Sequence, residues 1–408
     1  VLVGSKIKNR VGGIMFDYIV IGKGMMGSAA ARYLAEKGTK IAVVGPDEPK
    51  DFADHPGIFA SHYDEGRLTR LLAKDITWSW LSHYSIQNYR YLEEESNISF
   101  YAPCGLLYAV KNLSNYYIFS TRQTVENLMG GKHSDYASTN SITQAHPMFV
   151  FPAHFKGMFE HAPAGCINPR AFVRAEIAIA QKCGAEIVPE IAVKTAQTRD
   201  TISVTTQSGR TLEAQKILYA GGSFANTFEV LPVKLDLRIK TEFTVLAEVS
   251  EQTAYSLDGM PCAIYEIESN QLDGIYLTPP RRYPDGKFYI KMGCDTKADQ
   301  NLDTLAGMQT WMREGSNAML GEMGSALTSF MPDIKPLNFL MKPCLVTYTT
   351  HRKPYIDQLT DRLFVATGGN GASAKCADAL GTLAAKLLLD EAWLPEFSRE
   401  EFKVSTLG

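Results

Sequence analysis

Phe16-Asp17-Tyr18-Ile19-Val20-Ile21-Gly22-Lys23-Gly24-Met25-Met26-Gly27 is the stretch that decides the fold. Its first half is a short apolar, β-branched run suited to a strand buried in a parallel sheet. The run stops at a G-x-G-x-x-G sequence. An alanine-rich helical segment follows from Ser28 to Lys37, then a Gly38 stop and a second strand from Lys40 to Val44, which together make a βαβ unit. Each glycine has its own duty: the first permits a tight turn, the second lets backbone amides approach a pyrophosphate, and the third lets helix and strand pack closely. The phosphates belong at the helix N-terminus, where unpaired N–H groups and the helix dipole favour negative charge. One part of the usual pattern is missing. Gly45 stands at the strand end where an acid would hold the adenosine ribose. Either Asp47 or Glu48 reaches the ribose from the following loop, or both are ordinary turn residues before Pro49. The motif by itself does not choose between NAD and FAD.

The remainder of the 408-residue chain bounds its class. With 45% hydrophobic and 10% aromatic residues, it is long enough for two closely packed domains with substantial cores. A net charge of −3 and the lack of any basic run exclude nucleic acid and anionic membranes as natural partners. No apolar stretch approaches the roughly 20 residues of a membrane helix. The start also lacks a secretory hydrophobic segment, so the expected address is the cytoplasm. Seven cysteines, at 104, 166, 183, 262, 294, 344 and 376, are widely spread with no C-x-x-C pair. Such spacing suggests neither a disulfide framework nor a zinc site, and no metal is expected. Residues 1–14 carry little pattern and Met15 stands just before the first strand, so they read as a tag or an upstream extension. There is no heptad run, repeat period or Gly/Ser/Pro-rich linker, which fits interleaved domains.

Further along, Ser61-His62-Tyr63-Asp64-Glu65-Gly66-Arg67-Leu68-Thr69-Arg70 resembles the Ser-His…Arg-x-x-Arg segment of the monomeric sarcosine oxidase and N-methyltryptophan oxidase family. These are FAD-dependent amine oxidoreductases of the D-amino-acid-oxidase-like superfamily. Ile167-Asn168-Pro169-Arg170, with the helix and strand after it, is similar to the family segment that brings a third strand to the cofactor. Ile217 to Ser223 is similar to its glycine-rich strand end. The C-terminal match rests on the spacing of Cys344, Asp357, the turn Gly368-Gly369-Asn370-Gly371 and Lys375. The likeness runs from about Phe16 to Phe402 and is carried by order and spacing.

This resemblance implies a mixed α/β fold: a Rossmann-like FAD-binding domain with a second, mainly antiparallel-sheet substrate domain. The first would comprise residues 16–100, 160–235 and 338–408, and the second residues 101–159 and 236–337. Thr241 to Val249 and Phe288 to Met292 are strand candidates for the second. Carried over residue by residue, the FAD contacts are Gly22, Gly24, Met25, Met26, Gly27, Asp47, Ser61, His62, Arg67, Val193, Gly221, Gly368, Gly369, Asn370, Gly371 and Lys375. Cys344 would be joined to the flavin through an 8α-thioether bond.

The implied chemistry is physically apt. Arg70 and Lys375 are matched to the substrate carboxylate, which a guanidinium grips bidentately and an ammonium attracts as a point charge. Arg67 is matched to an arginine beside the flavin, although two arginines at this spacing on a helix face would be an ordinary solvated pair. Lys291 corresponds to the lysine that activates oxygen, since a nearby positive charge lowers the cost of forming superoxide. The 368–371 turn leads into a helix at about 374–389, whose N-terminal end could stabilise the reduced flavin. His62 and His351 receive no catalytic role, although His351 lies close enough in sequence to Cys344 to approach the flavin. A family tyrosine and histidine of the substrate pocket correspond to Leu277 and Asp295. Here Leu277 offers apolar volume and Asp295 a partner for a second cation on a larger substrate, or both reflect local repacking. Sarcosine is therefore not assigned; cyclic amines, N-alkyl amino acids and sugar–amine conjugates stay open.

The implied reaction is oxidation of the C–N bond of a secondary amine or amino acid to an imine, with O2 reduced to H2O2. The partners would be a small amine bearing a carboxylate and O2, acting on a monomer or small homo-oligomer. A flavin dehydrogenase using another electron acceptor, and a non-catalytic flavin-bearing subunit, are the alternatives.

Overall fold

The computed structural model describes residues 15–112 and 118–407; the leading segment read as a tag or extension lies outside them. The elements that position the site, in chain order, begin with β1 (Met15–Ile21), α1 (Met25–Glu36), β2 (Ile41–Val44), β3 (Arg67–Thr69) and α2 (Ile76–Ser96). Next come β4 (Leu106–Val110), β5 (Gly165–Ile167), α3 (Pro169–Lys182), β6 (Glu186–Val188) and β7 (Thr211–Tyr219). The last group is β8 (Leu237–Val249), β9 (Cys262–Tyr265), β10 (Leu272–Arg282), β11 (Phe288–Thr296), β12 (Asn338–Thr349), β13 (Leu363–Thr367) and α4 (Ala377–Leu388).

One eight-stranded sheet carries the glycine motif at its centre. β1 pairs in parallel with β7 on one side and β2 on the other, β2 pairs with β6, and β7 pairs in parallel with β13. The apolar end of β1, Ile19 to Ile21, is buried, and Asn168 caps α3 through the Ala171 amide with Pro169 in the first turn. A nine-stranded sheet forms the other body, built mainly of antiparallel pairs around the long strand β8, which lies between β11 and β12. The sequence division at residue 338 differs from this pairing: β12 is hydrogen-bonded along β8 from Asn338 to Thr349 and belongs to the larger sheet. Among the described residues, no helix is long and apolar enough to cross a membrane.

Helix α1 starts at Met25, inside the glycine motif and earlier than the alanine run suggests. Three close backbone approaches allow this. A side-chain carbon on Gly22 (φ +107°) would stand 2.3 Å from the Ala220 carbonyl oxygen, and one on Gly27 would stand 1.9 Å from that of Gly22. The third approach, on the far side of α1, is where α4 crosses it at Gly381. A Cβ there would lie 2.5 Å from Ala29 Cβ and 2.6 Å from the Ala30 nitrogen.

A buried charge cluster joins the helices behind the sheet. Arg32 on α1 pairs with Glu176 on α3 and with Asp378 on α4, and Asp378 also accepts from Asn88 on α2 (3.2 Å). One guanidinium serves two buried carboxylates, and burial holds the Glu176 carboxyl up to about 8.

Gly381→Val should force α1 and α4 apart and lower unfolding stability by about 1–3 kcal/mol. Gly321→Ala serves as the control, because a side chain there meets nothing within 4 Å. That substitution should leave stability unchanged or raise it by up to about 1 kcal/mol. Equal effects of the two substitutions in denaturant unfolding would refute the close-packing account.

Candidate active site

A cavity of about 460 Å³ lies at the C-terminal ends of β1, β7 and β13, between the two sheets. The chain leaves β1 towards β2 on one side and returns through β7 on the other, and open α/β sheets hold ligands at such a switch point. Gly22 to Gly27, Pro46, Ala220 to Phe224 and Ala366 to Lys375 form one wall. Opposite stand Glu242 from β8, Ile264 from β9, Tyr276 from β10 and Cys344 to Thr347 from β12.

The wall at α1 fits a dinucleotide. Gly24 is the N-cap and brings no side-chain cap, so the first-turn amides keep their donors, and a Cβ at Gly24 would meet nothing within 4 Å. The ionisable lining is strongly cationic: five bases, Lys23, Arg67, Arg70, Lys74 and Lys375, against one carboxylate, Glu242. His62 adds a neutral polar edge. Burial, reinforced by Arg170, Lys23 and Arg67, pushes its imidazole down to about 3, and its buried Nδ1 has no hydrogen-bond partner among the described residues. Bare helix amides, a cationic lining and an unspent imidazole nitrogen suit an anionic cofactor that also offers hydrogen-bonding edges.

The 368–371 turn is tied to β12. Gly368 has φ +85°, and a Cβ there would meet Thr349 Cγ2 at 2.3 Å. Asn370 accepts from the Thr349 amide (3.0 Å), and its own amide donates to the Thr347 carbonyl (2.8 Å). After the turn come a 3₁₀ segment, Ala374–Cys376, and then α4 from Ala377, so the helix starts later than the sequence suggests. Ser85 of α2 takes the Ala379 amide (3.0 Å), and the turn rather than the start of α4 provides most of this wall.

A family model described as FAD dependent oxidoreductase (DAO) matches residues 17–387. The chain belongs to this DAO family of FAD-dependent oxidoreductases. It is 25% identical over 390 residues to the monomeric sarcosine oxidase of Bacillus sp. (strain B-0618), covering 92% of each chain. Among solved structures it resembles NikD, described as an unusual amino acid oxidase essential for nikkomycin biosynthesis, with a TM-score of 0.74 at 18% identity, covering 96% of this chain and 98% of that one. Glycine oxidase from Geobacillus kaustophilus gives a TM-score of 0.72 at 15% identity, covering 97% of this chain and 100% of the other. These two likenesses show the fold.

Against this DAO-family fold, the residues singled out from the sequence divide into two groups. Gly22, Gly24, Met25, Met26, Gly27, Ser61, His62, Arg67, Arg70, Gly221, Cys344, Gly368 to Gly371 and Lys375 all line the cavity. Arg67 and Arg70 lie on β3 and just after it, not on a helix face. Arg67 pairs with Asp64 and donates to the carbonyls of Gly66 and Ser61. Arg70 donates to Tyr108 (3.2 Å), whose hydroxyl in turn donates to buried Glu160 (2.7 Å). Glu160 also accepts from the amides of Leu71 and Leu72, which holds the chain just after Arg70.

The others sit elsewhere, each for a local reason. Lys291 does not line the cavity: the Asp64–Arg67 segment crosses over its strand, and the ammonium pairs with Asp64 and donates to the Gly66 carbonyl (3.0 Å) behind Arg67. Leu277 is fully buried in the core of the larger sheet, whereas Tyr276 faces the cavity with its ring over Gly293. A pleated strand sends adjacent side chains to opposite faces, so Tyr276, one residue before the position singled out from the sequence, is the one on the cavity wall. Asp295, its side chain 58% exposed, is held by Lys240 outside the cavity. Asp47, 73% exposed, pairs with Lys23, while Glu48 makes a two-point contact with Arg170. Gly45 packs on the Lys23 backbone and the chain turns away at Pro46, which leaves neither acid on the cavity wall. Val193 is also off the wall, its carbonyl accepting from the Glu229 amide (3.1 Å). His351 is exposed and bonds to the Lys403 carbonyl (2.8 Å), away from the cavity.

Three residues escaped the sequence reading: Tyr276, Glu242 and Lys342. Glu242 stands opposite Cys344 across β8 and β12, and burial pushes its carboxyl up to about 7. Lys342 sits two residues before Cys344 and donates to the Tyr63 carbonyl. Burial, helped by Arg170 and Arg67, brings its ammonium down from 10.5 to about 7. A lysine depressed on folding binds its proton more tightly in the unfolded chain. Its contribution to stability therefore grows as pH rises from about 7 towards 10.5 and is lost as pH falls to 7. Lys342→Met should remove this dependence, flattening the pH profile of unfolding stability above neutrality by about 1 kcal/mol per pH unit. Parallel wild-type and variant profiles in urea unfolding would exclude Lys342 as the source.

Proposed function

We propose that this enzyme oxidises the C–N bond of a secondary amine or amino acid bearing a carboxylate to an imine, with O2 as electron acceptor and H2O2 as product. The observation that carries this reading is that Arg70, Lys375 and Cys344 face one cavity together with the bare amides of α1. The names of the relatives, a sarcosine oxidase and two amino acid oxidases, support the substrate class. Arg70 and Lys375 grip the carboxylate, the first bidentately and the second as a point charge. Bound FAD would supply the two-electron redox chemistry, and the residues of this wall would hold the amine substrate against it. Cys344, a free thiol on the cavity wall, is the proposed attachment point for the flavin. Arg67 would supply the fixed positive charge for oxygen reduction; Lys291 lies behind it on their shared partner Asp64, where burial and the Arg67 guanidinium hold the lysine well below its ordinary pKa.

Acid precipitation of the yellow protein tests the attachment. Flavin absorbance should stay with the pellet for the wild type and move to the supernatant for Cys344→Ala. Free flavin in the wild type would leave an amine oxidase with dissociable FAD. The electron acceptor is tested separately by reducing the enzyme with amine under argon and admitting air. Rapid return of the oxidised spectrum with stoichiometric peroxide supports the oxidase; a flavin that stays reduced in air would establish the dehydrogenase alternative. Failure of every carboxylate-bearing amine to bleach the flavin would overturn the reading altogether.

Glu242 gives the site a pH dependence. Below about 7 its carboxyl is neutral, and above that it opposes a substrate carboxylate in the same cavity. The KM for an amino-acid substrate should therefore rise several-fold between about pH 6 and pH 8, while Glu242→Gln holds it level. A pH-independent wild-type KM would remove Glu242 from substrate recognition.

A further inference from the structure

Cys104, Cys166 and Cys262 are far apart in sequence but meet at one point of the fold. Cys104 is in the turn before β4, Cys166 is the middle residue of β5, and Cys262 is the first residue of β9. Their three sulfurs all lie within 4.8 Å of one another, with Cys104 Sγ and Cys262 Sγ 4.0 Å apart. Two glycines draw the segments together. A Cβ on Gly165, beside Cys166, would stand 2.1 Å from the Ala102 carbonyl oxygen and 2.7 Å from the Cys104 nitrogen. Gly105, beside Cys104, has φ +80° and accepts the Cys262 amide at its carbonyl (3.1 Å). Arg281 of β10 completes the group by donating from Nη2 to Cys166 Sγ (2.7 Å).

We infer that this trio is a binding site for a thiophilic closed-shell divalent cation of the zinc class. The spacing fits: three sulfurs about 2.3 Å from a tetrahedral metal stand about 3.8 Å apart, with a solvent water as the fourth ligand on the partly exposed Cys104 side. Reaching it requires the third sulfur to move by less than about 1 Å from its limit in the structure. The charge fits as well. Three thiolates, one guanidinium and one divalent cation sum to zero, so a buried site is left without net charge. Arg281 is the outer partner that fixes one sulfur's orientation. Cys166 and Cys262 are buried, while Cys104 is partly exposed and supplies the way in. Binding replaces each S–H proton with an S–metal bond and releases the protons to solvent, with no change of oxidation state.

The position assigns the ion a structural role. β5 belongs to a small three-stranded sheet with β3, and β9 belongs to the nine-stranded sheet, so the metal pins one to the other. Leu68, opposite Cys166 on β3, and Ile264, two residues after Cys262, both line the cavity. The pin therefore stands one residue layer behind the wall described above, and it does not depend on the reaction proposed for that cavity.

Cadmium is the probe. Reduced holoenzyme, freed of metal by a chelator, should bind one equivalent of Cd2+ with a thiolate-to-metal charge-transfer band, and its unfolding midpoint should rise by about 3–5 °C. Cys262→Ser should abolish that equivalent, and Arg281→Met should weaken it by about 10–100-fold. Alkylation of the unmodified chain gives a second measurement that needs no variant. One equivalent of Cd2+ should slow labelling of Cys104 at least about tenfold while leaving exposed Cys183 unaffected. Labelling of Cys104 that ignores Cd2+ overturns the site, as does an equivalent that survives Cys262→Ser. A Cys104–Cys262 disulfide in the protein as isolated would also overturn it, because two of the three ligands would then be lost.

Discussion

Backbone must touch backbone where β1 turns into α1, and most of the molecule follows from that contact. Gly22 presses on the Ala220 carbonyl and Gly27 on that of Gly22, so α1 rises directly off the sheet with its first amides uncapped. A side chain at either point would lift the helix and carry those donors away from the cavity. Gly381 extends the same constraint outward by letting α4 close on α1. The buried cluster of Arg32, Glu176, Asp378 and Asn88 then ties both helices to α2 and α3. That cluster is a poor source of net stability, because burying charge is costly, but it leaves each helix few alternative registers.

Charge organises the cavity. Five bases and one carboxylate line it, and the bases that matter are held by acids outside it. Asp64 anchors Arg67 and Lys291 together, and Glu160 secures Tyr108 and the backbone after Arg70. These contacts hold the arginine side chains in place at the cavity wall, where a charge beside a low-dielectric interior acts on an anion more strongly than in bulk solvent. Lys291 on β11 is held behind the wall by the segment that delivers Arg67, through Asp64 and the Gly66 carbonyl.

How far the site was legible depended on whether its residues are local in sequence. The glycine motif, the Ser61–Arg70 segment and the 368–371 turn each combine several functions within a few residues, and a short pattern conveys them. Leu277 illustrates the other case. Sequence order alone does not distinguish adjacent positions on a strand, yet the pleat sends Leu277 to the core and Tyr276 to the cavity. Asp295 and Asp47 are acids that looked available and were instead taken by Lys240 and Lys23, partners that only chain crossing brings near. The start of α4 at Ala377 rather than Ala374 reflects a tightened first turn, which propensity alone does not specify.

By itself, the sequence determined that this is a dinucleotide-binding α/β chain with a cysteine and a glycine-rich turn in the order of the FAD-dependent amine oxidoreductases. Those properties reside in contiguous residues whose backbone requirements are absolute, because no other residue replaces glycine at the Gly22 turn. Only the tertiary structure decided which side chains share a space. Glu242 meets Cys344 across two strands that are about a hundred residues apart, as antiparallel pairing dictates. Cys104, Cys166 and Cys262 converge because two glycines let three separate segments approach to backbone contact, a long-range consequence of packing that no spacing pattern encodes.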